Sequence, residues 1–189
     1  MIKHLNISVL VDDCASSTGF LGEHGLSYWV DTGDHAFLFD TGYGLVLDHN
    51  AYLMDIPLNR ADAVILSHGH DDHTGGLQSV LRHNPGIRVG VHPHAFTPRY
   101  IQEETSTRAN GFSRFSPSSI AQEHGQLMLT ETPTEILPGV SVTGTIPRTY
   151  NVDRINRGYY LDDAGTRPDP FTDEQAVLLD TAAGTVVLV

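Results

Sequence analysis

The hydrophobic and polar positions of this chain fall into short strand-like runs divided by a few helical stretches, and the two alternate along its first half. Residues 2–11 alternate in part and predict a first strand, closed by the polar loop Asp12-Asp13-Cys14-Ala15-Ser16-Ser17-Thr18-Gly19. Residues 28–31 and 36–39 read as a hairpin around Thr32-Gly33-Asp34-His35. Residues 45–54 space Leu45, Leu47, Ala51 and Met54 as a helix does, and Pro57 stops it. The apolar run 63–66 predicts a buried strand, residues 72–83 a helix ended by Asn84-Pro85-Gly86, and residues 87–91 another strand. Such alternation predicts a layered α/β domain.

From 96 to 124 the periodicity weakens into Ser, Thr, Arg and Gly, which predicts a long surface loop or short helices. A segment of that kind serves as a lid or specificity element, or as an ornament, and the pattern does not choose between them. Strands return at 126–130, 134–137 and 140–146, with a turn at Pro138-Gly139. A polar loop from Pro147 to Gln175 precedes two last strands, 176–180 and 185–189. No internal repeat or low-complexity tract interrupts this plan, and residues 1–189 read as a single domain.

Composition narrows the setting. The 189 residues are 40% hydrophobic and 18% charged, as expected of a globular protein. The net charge is −12 and Lys3 is the only lysine. An acidic surface argues against nucleic acid and anionic membrane as partners, yet it leaves an anionic small-molecule substrate open, since bound dications and local arginines reverse the sign within a pocket. Cys14 stands alone, so neither an intrachain disulfide nor a cysteine zinc site is expected. Its acidic neighbours make it a poor thiolate. The first residues read as a strand rather than a signal peptide, and no apolar run reaches the ~18 residues of a membrane span, so a cytoplasmic protein is expected.

The chemistry concentrates in one place. Directly after the strand at 63–66 comes Ser67-His68-Gly69-His70-Asp71-Asp72-His73-Thr74-Gly75-Gly76, three imidazoles and two carboxylates within six residues. Imidazoles with a hard carboxylate suit Zn²⁺ or a similar divalent ion, Mn or Fe included. A polar loop with incidental histidines is the plain alternative.

Together with Phe39-Asp40-Thr41-Gly42, this motif resembles the first two signatures of the metallo-β-lactamase superfamily, whose members are αββα sandwiches and metal-dependent hydrolases. Glu23-His24-Gly25-Leu26-Ser27, His92-Pro93-His94-Ala95-Phe96, Ile146-Pro147-Arg148 and Asp173-Glu174-Gln175-Ala176 resemble its 7,8-dihydropterin-6-methyl-4-(β-D-ribofuranosyl)-aminobenzene-5′-phosphate synthase-like branch. The resemblance implies His68 and His70 as ligands of a first ion, and Asp72 and His73 of a second. It makes Asp72 the catalytic residue that orients a metal-bound hydroxide, and Asp40 the carboxylate that braces a ligand imidazole. Asp71 is expected to face away. His24, His92 and Arg148 are candidate substrate contacts; their plain readings are a surface histidine, a strand-end histidine packed on Pro93 and a surface ion pair.

The resembling family supplies further ligands, including a third histidine, from segments after a later strand, and no histidine follows His124 here. The expectation is therefore an αββα sandwich lacking its C-terminal portion: a fragment or processed chain, a half-protein whose remaining ligands come from a second polypeptide, or a degenerate homologue with an incomplete site; a homo-oligomer is also open. Two function classes follow. One is a metal-dependent hydrolase or related phosphate-ester or diphosphate enzyme with a dinuclear zinc site. The other is a non-catalytic metal-binding or partner-binding domain with a degenerate site.

Overall fold

The computed structural model describes residues 1–112, 115–148 and 158–189. The chain begins with β1 (Asn6–Val11), β2 (Ser27–Asp31) and β3 (Ala36–Phe39), an antiparallel meander. Helix α1 (Leu47–Leu53) then carries it to β4 (Ala63–Ile65), which lies parallel to β3. Helices α2 (Asp71–Thr74) and α3 (Leu77–His83) lead to β5 (Arg88–Val91), again parallel. Strands β6 (Tyr100–Gln102) and β7 (Thr107–Ala109) and helix α4 (Pro117–Gln122) precede β8 (Gln126–Leu129), which closes a six-stranded mixed sheet in the order β1-β2-β3-β4-β5-β8.

The chain next builds an antiparallel second sheet from β9 (Thr134–Leu137) and β10 (Val140–Val142). After β11 (Tyr159–Tyr160) it adds β12 (Val177–Thr181) and β13 (Gly184–Leu188), in the order β13-β12-β10-β9. Strand β11 joins β6 and β7 in a small third sheet.

Two apolar layers hold this together, and strand alternation sorts residues between them. On one face of the large sheet Trp29, Leu38, Val64 and Val89 pack against Leu47 and Ala51 of α1, Leu77, Val80 and Leu81 of α3, and Ile120 of α4. On the other, Val30, Phe37, Phe39 and Ile65 meet Ile136, Val140, Val142, Val177 and Leu179 of the second sheet. Gly90 of β5 faces the second sheet, where a Cβ would stand in van der Waals contact, 3.4 Å from the Ile136 Cδ1 atom. Helices thus cover the large sheet on one side and the second sheet covers the other. Among the described residues, no helix covers the outer face of the second sheet, so the fourth layer of the expected αββα order is not seen there.

Several expected elements change on inspection. The strand expected at 2–11 is shorter, because Ile2 leaves the first sheet and pairs with Thr181 beside the second. The helix expected at 72–83 is broken in two at Gly75-Gly76. A Cβ at either glycine would collide with backbone carbonyls of Tyr43 or Thr41, so the loop after β3 and this helix break touch backbone to backbone. The described residues of segment 96–124 include the short helix α4, in line with the short helices expected there, and add the strands β6 and β7. The strand expected at 140–146 ends at Val142, since Gly144 takes a positive φ of 64° against the Glu131 and Thr132 backbone.

Candidate metal centre

Parallel strands in an open sheet point their carboxyl ends to one side, and ligand sites form there. Strand β3 delivers Asp40, β4 delivers Ser67 and His68, and β5 delivers His92. Asp40 is fully buried and takes a left-handed φ of 60°, which turns its carboxylate back across the end of β4. Its Oδ1 accepts from the Ser67 backbone N–H at 2.7 Å. Oδ2 accepts from Ser67 Oγ at 2.6 Å and from His73 Nδ1 at 2.7 Å. Asp40 thus holds one end of the motif and orients the imidazole at the other.

The motif side chains face each other in two pairs. His68 Nε2 and His70 Nδ1 stand 3.0 Å apart. His73 Nε2 and Asp72 Oδ2 stand 3.4 Å apart. Two ligands of one tetrahedral zinc, at bonds of about 2.1 Å, lie roughly 3.4 Å apart. In His73 and His68 the facing nitrogen leaves the other ring nitrogen for a protein partner: His73 Nδ1 for Asp40, and His68 Nδ1 for Ser67 Oγ at 2.8 Å. That division of ring atoms fits imidazoles that ligate a cation. Among the described residues, no three or more His, Cys, Asp or Glu side chains close around one point, so the arrangement consists of two half-sites.

Electrostatics divides the two ligand types. Burial, then the neighbouring His73, His70 and Arg99 charges, hold His68 well below its ordinary value, so it stays neutral with its lone pair available. For His73 burial alone would lower the pKa, but the charge and hydrogen bonds of Asp40 and Asp72 win and raise it to about 10. Burial would lift Asp72, yet the hydrogen bond and charge of His73 bring it below the usual carboxylate range. Without a cation, the proton on His73 is the positive charge that the carboxylates gather.

The other expected site residues divide. His24 is brought to the cluster: its Nε2 is 3.5 Å from Asp72 Oδ2, and its Nδ1 is 3.0 Å from Asp13 Oδ1. The preceding loop packs tightly, since a Cβ on Gly25 would strike the Asp72 carbonyl. Arg148 lies one ring farther out, paired with Glu174 at 2.5 Å and 5.7 Å above Phe171, whose edge meets the His70 ring at 5.2 Å. His92 differs from the expected substrate contact. It is 1% exposed, its Nε2 is 2.8 Å from Thr145 Oγ1 and its Nδ1 accepts from the His94 N–H at 3.1 Å, so no ring atom is left for a substrate. Asp71 turns away from the pairs, its Oδ2 3.3 Å from Arg108 Nη1.

Arg99, Asp169, Tyr159 and Phe171, to which the sequence assigned no role, lie behind His70, and Asp173, visible only as part of the Asp173-Glu174-Gln175-Ala176 stretch, lies behind Gly69. Arg99 is 3% exposed, donates from Nε to Asp169 at 2.7 Å and sets Nη2 2.5 Å from Asp173. Tyr159 stacks on His70 at 5.0 Å. The acids of the loop before β12 were visible as a polar stretch, but no local pattern pairs them with an arginine some 70 positions earlier.

The family model of the metallo-beta-lactamase superfamily matches residues 21–149. The chain belongs to this superfamily. It is 26% identical over 198 aligned residues to 7,8-dihydropterin-6-methyl-4-(beta-D-ribofuranosyl)-aminobenzene-5′-phosphate synthase of Methanocaldococcus jannaschii, covering 99% of this chain and 67% of that protein. It superposes on the solved structure of Tm1679, a metal-dependent hydrolase of the beta-lactamase superfamily, with TM-score 0.75 and 32% identity over 97% of this chain and 64% of the other. A quorum-quenching N-acyl homoserine lactone hydrolase shares the fold at 14% identity and TM-score 0.53 over 98% of this chain and 72% of its own. The chain spans about two thirds of the length of the first two relatives.

Proposed function

We propose that this superfamily member is a metal-dependent enzyme of the hydrolase or phosphate-ester and diphosphate class, built on a dinuclear zinc centre. The observation that carries the reading is the facing of donor atoms in two pairs, His68 with His70 and Asp72 with His73, with Asp40 fixed to the outer nitrogen of His73. His68 and His70 would hold one ion, Asp72 and His73 the other. When bound, two such ions polarise a scissile oxygen and lower the pKa of water.

The chain's own residues supply the rest. Asp40 keeps His73 oriented, and Asp72, facing both His73 and His24, is placed to orient a nucleophilic water by accepting its hydrogen bond. Arg148, with its guanidinium over Phe171, offers a planar fork to an anionic group once Glu174 releases it. An anionic or phosphorylated small molecule is the substrate class this favours. The relation to a synthase acting in pterin chemistry supports a phosphorylated aromatic substrate, and the likeness to a metal-dependent hydrolase supports the ions.

The test is turnover by the zinc-loaded chain on phosphodiester, diphosphate and lactone substrates, against Asp72→Asn. The reading predicts turnover of at least one class, and a loss of about 10²-fold or more in kcat for the variant. Zinc binding without turnover would favour the second reading, a metal-binding domain without catalysis, which is supported by the confinement of donors to half-sites among the described residues.

A further inference from the structure

The half-site of His73 has a visible brace in Asp40; the half-site of His70 needs one as well. A ligand imidazole requires a partner on its outer nitrogen to fix its tautomer and its angle. His70 Nε2 is buried and has no hydrogen-bond partner among the described residues, and the carboxylate of Asp169 faces it at 3.8 Å. Tyr159 stacks on one side of the ring and the edge of Phe171 closes another, which limits water as a substitute partner.

Asp169 is itself fixed. It receives the Arg99 Nε–H at 2.7 Å and the Phe171 backbone N–H at 2.8 Å. The same guanidinium binds Asp173, and Asp173 Oδ2 accepts from the backbone N–H of Gly69 at 2.8 Å. Arg99 reaches the loop directly too: a Cβ on Gly69 would lie 2.6 Å from Nη1. One buried arginine thus places two carboxylates behind consecutive residues of the motif. Asp169 and Asp173 thus set two carboxylates against this one guanidinium, a local excess of negative charge beside the motif.

We propose that Arg99, Asp169 and Asp173 form a second brace of the metal loop, in which Asp169 fixes His70 as the Nε2–H tautomer with Nδ1 toward the ion. Arg99 and Asp173 act through this geometry as positioning residues. The proposal rests on the reading that the motif binds divalent ions.

Zinc affinity of the purified chain, measured by competition with a chromogenic chelator, separates the two ideas. Wild type is compared with Asp169→Asn, Asp169→Glu and the control Asp162→Asn, whose exposed carboxylate serves a turn at Thr166. The brace predicts a loss of about 10–100-fold in zinc affinity for Asp169→Asn, read at a temperature where the variant is folded, partial recovery in Asp169→Glu and no change in the control. Equal affinity of wild type and Asp169→Asn overturns the brace and leaves the metal reading standing. A wild type that binds no zinc overturns the metal reading and the brace with it. Should Asp169→Asn fail to fold, ¹⁵N NMR of the zinc-loaded wild type decides: a proton on His70 Nε2 supports the brace, and a proton on Nδ1 overturns it.

Discussion

Replacing Asp40 by Asn isolates the charge at the heart of the cluster. Asn adopts the left-handed backbone as readily as Asp, so the φ of 60° at this position adds no strain of its own. The amide keeps one oxygen for the Ser67 N–H, but presents a donor where Oδ2 received Ser67 Oγ and His73 Nδ1. Ser67 can rotate its hydroxyl to accept; His73 loses a charge-assisted bond in a fully buried setting. One such bond is worth about 1.5–3 kcal/mol, so the metal-free variant is expected to be about 2–3 kcal/mol less stable at pH 7. With a urea slope of roughly 2 kcal/mol per molar, the midpoint falls by about 1 M or slightly more.

The pH profile gives the same test a sign. His73 is raised from 6.5 to about 10 in the folded chain, so its pairing contributes fully below pH 6.5 and is lost as pH rises through about 10. Wild type should therefore weaken between pH 7 and 10 in urea unfolding, and Asp40→Asn should lack most of that decline. A midpoint shift under about 0.3 M at pH 7, or identical pH slopes in the two proteins, would refute the reasoning.

Other expectations follow from the same geometry. Gly69→Ala pushes a methyl into the Ala95 carbonyl and Arg99, and should cost about 1–3 kcal/mol in urea unfolding while weakening zinc binding. His68 is depressed by burial, so the metal-free chain should lose stability as pH falls below about 6.5, with the decline reduced in His68→Ala and the remainder due in part to His92, which burial also lowers. Because His73 carries a proton at neutral pH, zinc binding should release about one proton per chain at pH 7.5, measured by calorimetry in two buffers of different ionisation enthalpy. Arg148→Ala should raise KM for an anionic substrate with little change in melting temperature, because the ion pair it makes with Glu174 is partly exposed to solvent.

Where turn chemistry flanks a strand, the bounds were legible: β3 and β9 occupy the residues that alternation and their neighbouring turns indicate. The α/β layering followed from alternating periods, and the superfamily from the histidine motif and Phe39-Asp40-Thr41-Gly42. Less legible was whatever depends on distant contact. Helix 72–83 looks continuous in sequence, yet Gly75 and Gly76 break it where the loop after β3 presses against them. Ile2 continues an alternating run but pairs with Thr181, a partner far along the chain. His92 resembles a site residue at a strand end, and only the fold reveals that Thr145 and the His94 backbone occupy its ring. Arg99 carries no signal at all until Asp169 and Asp173 are brought to it.

The central claim is that His68, His70, Asp72 and His73 are metal ligands, and zinc K-edge X-ray absorption of the zinc-equilibrated chain tests it most directly. The account predicts zinc bound through nitrogen and oxygen at about 2.0–2.1 Å with outer-shell scattering from imidazole, lost in the His68→Ala/His73→Ala double variant. Zinc absent from the wild type, bound through sulfur, or retained unchanged by the double variant would contradict it.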